Sequence, residues 1–76
     1  MKAFILINIR PGEITDVIRH LKKMPQVKDV NMTFGPYDAV AIVQAEDIND
    51  LGKILASGIQ PIPGVEETLT CLAVEL

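Results

Sequence analysis

Apolar and polar positions alternate with a period that changes along the chain, and each change marks an element. Over Lys2 to Ile9 both alternating sets are apolar: Ala3, Ile5, Ile7 and Ile9 on one side, Phe4 and Leu6 with Asn8 on the other. A strand of that kind is central in a sheet and covered on both faces. Arg10-Pro11-Gly12 ends it, because proline cannot donate to a ladder and glycine opens a turn. From Glu13 to Met24 the period becomes helical, with Ile14, Val17, Ile18, Leu21 and Met24 on one stripe and Asp16, Arg19 and Lys23 facing away. Glu13 and Asp16 at the start and Lys22-Lys23 at the end suit the helix dipole, and Pro25 closes the element.

Gln26 to Phe34 returns to a period of two, with Val30, Met32 and Phe34 against Asp29, Asn31 and Thr33, and reads as an edge strand wet on one side. After Gly35-Pro36, the run Asp38 to Ala45 sets Ala39, Ala41, Val43 and Ala45 against Val40, Ile42 and Gln44. This is a second central strand, and its small residues let a helix approach closely. Glu46-Asp47 can cap a second helix whose buried stripe is Ile48, Leu51, Ile54 and Leu55, with Ser57-Gly58 as its stop. Ile59 to Gly64 holds two prolines and a glycine and reads as a connection. Val65 to Leu76 is the last strand, alternating Thr68, Thr70, Leu72 and Val74 with Leu69, Cys71 and Ala73.

The order strand, helix, strand, strand, helix, strand, with right-handed crossovers, predicts an α+β ferredoxin-like βαββαβ fold. It has a four-stranded antiparallel sheet with two helices on one face. Nothing in this chain covers the other face, yet the central strands are apolar there. An exposed apolar patch of that extent marks an interaction surface, so a face-to-face homodimer is expected.

Composition narrows this picture. A chain of 76 residues, 49% apolar, makes one domain spanning 1–76, and at that size a single core is marginal, so association is favoured. Seven basic against ten acidic residues, net −3, lack the charge for direct nucleic-acid capture. The lone Cys71 cannot form an internal disulfide, which suits a cytoplasmic location. The first apolar run is too short to cross a membrane.

No catalytic or metal-ligating constellation stands out, and no cofactor is implied. His20 reads as structural or surface, Cys71 as a buried inert thiol, and Tyr37 as a packing residue or hydrogen-bond donor. Glu46, Asp47 and Asp50 read as helix capping and solvated charge in preference to a metal site. The stretch Thr33-Phe34-Gly35-Pro36-Tyr37-Asp38 joins turn chemistry to an acid able to accept hydrogen bonds or pair with a cation.

That stretch, followed by a strand, a helix and then Ile62-Pro63-Gly64-Val65-Glu66-Glu67-Thr68-Leu69-Thr70, resembles the ligand-sensing (RAM) domain of the Lrp/AsnC transcriptional regulators. The resemblance runs over essentially all 76 residues, on a Gly-x-x-Asp turn and a Pro-Gly-Val stretch with Thr-x-Thr after it. It implies the same fold and a dimeric α+β barrel made by the open sheet faces. Dimers would assemble into rings, an octamer or similar, with a small amino-acid effector where they meet. Since the sequence begins at the first strand, the resemblance implies a stand-alone form without the helix-turn-helix domain of the full-length regulators, and Met1-Lys2 leading straight into that strand is expected to be a natural start and not a truncation. Transcription would then be tuned indirectly, through a full-length Lrp/AsnC-type partner. Gly35, Tyr37, Asp38, Thr68 and Thr70 are the expected ligand-binding residues: Asp38 for the effector's ammonium, backbone N–H groups near Gly35 for its carboxylate. Two other classes stay open at this point, a small dimeric ferredoxin-like enzyme of monooxygenase or isomerase type and a purely structural oligomerisation module.

Overall fold

The computed structural model describes residues 1–76. In chain order the elements are β1 (Lys2–Ile9), α1 (Ile14–Lys22), β2 (Val27–Met32), β3 (Ala39–Gln44), α2 (Ile48–Lys53) with a π-helical continuation (Ile54–Ile59), and β4 (Val65–Leu72). The strands form one antiparallel sheet in the order β2-β3-β1-β4. The ferredoxin-like βαββαβ arrangement read from periodicity is therefore the one observed.

Register explains how one face became the core. Ile5 pairs with Ala41 and Thr70, Ile7 with Ala39 and Thr68, and Ala3 with Val43 and Leu72. Directly paired residues share a face. The buried cluster takes Ala3, Ile5, Ile7, Ile9, Val30, Ala39, Ala41 and Val43 from the strands, and Val17, Leu21, Leu51, Ile54 and Ile59 from the helical segments. Both helices thus cover the same side. The alanines of β3 permit that approach, and all of them are buried.

The opposite side carries Phe4, Leu6, Val40 and Ile42 at its centre, half-buried, with exposed Leu69 and Cys71 at one margin. No element of this chain lies over it. Cys71, opposite Phe4, belongs to this face and is exposed, contrary to the buried thiol expected from its neighbours: apolar flanks do not bury a residue when the sheet face itself is open.

Besides α1, which ends at Lys22 and not Met24, three boundaries differ from expectation with consequences for packing. β2 stops at Met32 instead of Phe34, so that of its apolar alternation only Val30 is buried, while Met32 is 54% and Phe34 97% exposed. The chain leaves the sheet at Thr33, and Phe34 follows it into the turn. The second helix does not stop at Ser57-Gly58. It continues with i→i−5 geometry, the Gln60 N–H donating to the Leu55 carbonyl at 2.8 Å, and that wider turn places Ile59 fully inside the core. β4 ends at Leu72 and not Leu76: Leu72 is paired with Ala3, and one further bond, from the Ala73 N–H to the Lys2 carbonyl at 2.9 Å, holds the chain just past it.

Candidate functional site

The turn from Thr33 to Asp38 is held from inside. The Thr33 N–H donates to the Asp38 carbonyl at 3.0 Å, and the Thr33 hydroxyl donates to the Tyr37 carbonyl at 2.8 Å. Gly35 has φ +142°, a backbone conformation that L side chains rarely adopt, and no neighbour stands where its Cβ would be. Tyr37 and Asp38 are half-buried.

Asp38 has a specific anchoring role. Its N–H donates to the Ile7 carbonyl at 2.9 Å, and the Ile9 N–H donates to its Oδ2 at 2.7 Å. The carboxylate supplies one more rung to the β1–β3 ladder after the backbone of β3 has turned away. Neither salt bridge of the chain involves it, so this anionic group has no cationic partner. Oδ2 is committed to the backbone, and Oδ1 makes no hydrogen bond within the chain.

Thr68 and Thr70 stand across β1. Since Ile7 lies between Ala39 and Thr68, two strand spacings, roughly 10 Å, separate the backbones of the two groups. The threonines share the helix side of the sheet with Ile5 and Ile7. Thr68 accepts a long hydrogen bond from Gln60 Nε2, 3.5 Å, and lines a shallow groove of about 390 Å³ with Gln60, Val65, Glu66 and Glu67. Gly35, Tyr37 and Asp38 do not line that groove. The five expected residues therefore form two clusters within one chain. Gln60 reaches Thr68 although the sequence places it in a connection that holds two prolines; the π-helical continuation carries the helix as far as Ile59, next to it.

The second turn, Pro63-Gly64-Val65, is packed. Gly64 has φ +101°, and a Cβ there would lie 2.7 Å from Glu13 Oε2 and 3.1 Å from Val17 Cγ2. The Arg10 N–H donates to the Gly64 carbonyl at 2.8 Å, tying the end of β1 to the start of β4. Arg10 Nη1 lies 3.3 Å from Glu13 Oε2, an ion pair whose geometry falls short of a hydrogen bond.

The remaining sequence candidates resolve simply. Asp47 Oδ1 accepts from the Asp50 N–H and Asp50 Oδ2 from the Glu46 N–H, both at 2.8 Å, so the acidic cluster is a reciprocal helix cap. His20 is exposed on the outer face of α1. No helix is long and apolar enough to cross a membrane.

Comparison with known proteins places this geometry. The chain is 35% identical over 75 residues to the HTH-type transcriptional regulator FL11 of Pyrococcus horikoshii, covering 99% of this chain and 49% of that protein. It spans about half the length of such curated relatives. A segment making up 13% of a homocitrate synthase of Sulfurisphaera tokodaii is 39% identical over 61 residues, 80% of this chain. The crystal structure of TTHA0845 from Thermus thermophilus superposes with a TM-score of 0.93 at 36% identity, covering 99% of this chain and 94% of that one. The family model described as the Lrp/AsnC ligand binding domain matches residues 2–75, and this chain belongs to that family.

Proposed function

We propose that residues 1–76 act as one amino-acid-sensing, self-associating regulatory unit that carries out no reaction of its own. The observation that carries this reading is the state of Asp38: a carboxylate fixed by the Ile9 N–H, without a cation in its own chain, beside a turn whose glycine leaves open space. An α-amino acid offers the missing ammonium, and its carboxylate can accept from the backbone N–H groups near Gly35. Tyr37 borders that position, and Thr68 and Thr70 supply hydroxyls from the second cluster. Because the two clusters are separate within one chain, the complete pocket is one that neighbouring copies close together.

Self-association follows from the open sheet face, whose central residues are apolar on a chain too small to hold a large core. A face-to-face homodimer is the first step, and rings of dimers, an octamer or similar, the second. Effector binding at a seam shifts assembly by its differential affinity for the assembled and dispersed states. Relatives such as FL11 are named as transcriptional regulators, and a short segment of a homocitrate synthase is also similar to this chain. A portable control unit fits both contexts. This chain would influence transcription in the cytoplasm through a full-length Lrp/AsnC-type partner, without touching nucleic acid itself.

Asp38→Asn provides the test, because an amide oxygen still accepts from the Ile9 N–H while the negative charge is lost. Calorimetry against the twenty amino acids, with native mass measurement of the assembly, is expected to show binding by the parent protein. In the variant binding weakens at least tenfold, with the circular dichroism spectrum retained. Unchanged affinity in Asp38→Asn removes the assignment of Asp38. An assembly that never responds to any amino acid would favour the purely structural module.

A further inference from the structure

The two edges of the sheet carry opposite charge. Residues 14–32, which form the α1 and β2 edge, hold Arg19, Lys22, Lys23 and Lys28 against Asp16 and Asp29, a net +2. Residues 65–76, the β4 edge, hold Glu66, Glu67 and Glu75 and no Lys or Arg, a net −3. Each edge strand lacks a neighbour on its outer side.

Each edge also has an apolar feature matching the other. Between α1 and β2 runs a groove of about 330 Å³, lined by Ile14, Ile18 and Met32, with Thr15, Arg19 and Lys22 at its rim. Arg19 is shared with Asp16 at 3.0 Å, while Lys22 has no carboxylate partner. Beyond β4 the chain continues as Ala73-Val74-Glu75-Leu76. Leu72, Val74 and Leu76, spaced by two, are 47%, 80% and fully exposed, and Glu75 lies between the last two.

The segment cannot fill the groove of its own chain. Leu72 pairs with Ala3 near the start of β1, whereas Met32 lies opposite Ala39, which pairs with Ile7 towards the other end. Those ladders put the two roughly 14 Å apart across the sheet and roughly 13 Å apart along it. The four residues after Leu72 reach about 14 Å at most, and β4 is heading away from Met32.

We infer that residues Leu72–Leu76 of a second copy occupy the α1–β2 groove. Val74 and Leu76 lie on Ile14, Ile18 and Met32, and Glu75 lies level with Lys22 and Arg19. The contact joins two different surfaces, so copies related by a two-fold axis make it twice, each lending its segment to the other. This builds on the self-association proposed above and adds a specific, charge-steered contact to the non-directional attraction of the open faces. It also gives the exposed apolar stripe of the chain's last residues a covered position.

Disulfide trapping tests it on the whole chain. Met32→Cys and Val74→Cys are made separately, each with Cys71→Ser, mixed under conditions that allow subunit exchange and oxidised mildly. The expected result is a disulfide-linked heterodimer in the mixture and little linked species from either variant alone. In a parallel series read by sedimentation, Lys22→Glu raises the dimer dissociation constant about tenfold, and adding Glu75→Lys to the same chain restores it. Absence of the mixed disulfide while sedimentation still shows a dimer overturns the groove contact and leaves the face-to-face dimer standing. A Lys22→Glu effect that Glu75→Lys fails to reverse also overturns it. A monomer throughout overturns both.

Discussion

The two proline–glycine turns of this chain have similar composition and opposite surroundings. Around Gly64 the backbone passes so close to α1 that a methyl group would strike Glu13 and Val17. Around Gly35 the same methyl group would meet nothing within 4 Å, and the adjacent Phe34 is almost wholly exposed. One turn is a joint between β1, α1 and β4; the other stands free except where Asp38 grips the end of β1. A glycine at positive φ is thus explained in one place by backbone conformation plus crowding, and in the other by conformation alone. The free turn is the one with room for a ligand or a neighbouring copy.

Substitutions separate the two cases when urea unfolding is followed at one fixed protein concentration, since the proposed association would contribute to apparent stability. Gly64→Ala is expected to cost the most, about 3 kcal/mol, because positive φ and overpacking act together. Asp38→Ala is next, at about 1–2 kcal/mol, for it leaves the Ile9 N–H without its charged acceptor. Gly35→Ala has only the conformational penalty and should cost about 1 kcal/mol. Equal losses at the two glycines would show that crowding at Gly64 relaxes freely and that the contrast between the turns is one of appearance. Phe34→Ala comes last, within about 0.5 kcal/mol, as for other surface sites. A larger loss there would reveal that Phe34 is covered in the assembled protein.

The sequence disclosed the fold because periodicity and register agree. The alternation in Lys2–Ile9 and Asp38–Ala45 assigned the central strands, and the small residues Ala39, Ala41 and Ala45 identified the face a helix would approach. The same alternation also revealed that the second face was apolar. Pattern failed where the chain departs from regular geometry. Phe34 continued the apolar alternation of β2 on paper, yet the chain had already left the sheet. Cys71 looked buried from its neighbours, but burial depends on whether anything lies above the sheet face. The anchoring role of Asp38 was hidden because it depends on an N–H left unpaired at Ile9, 29 residues earlier in the chain. Gln60 was hidden because a π turn has no simple residue signature. The residues proposed for ligand binding come from the resemblance of two turns to one family, since their chemistry alone reads as packing and sheet surface; that they form two clusters on either side of β1 became visible only through strand register.

The wide turn at Ile54–Ile59 makes the length of this stretch a fixed quantity in the mechanical sense. Removing one residue, for example Ser57, would let the hydrogen bonds revert to α geometry, but each residue advances a helix by about 100° and 1.5 Å. Ile59 would rotate away from the core, Gln60 away from Thr68, and the short link to Gly64 would be left to absorb the mismatch at the crowded joint over α1. A deletion there acts on two distant places at once. Tolerance of insertions and deletions in this domain should therefore concentrate at the free Gly35 turn and be least in the eleven positions from Ile54 to Gly64.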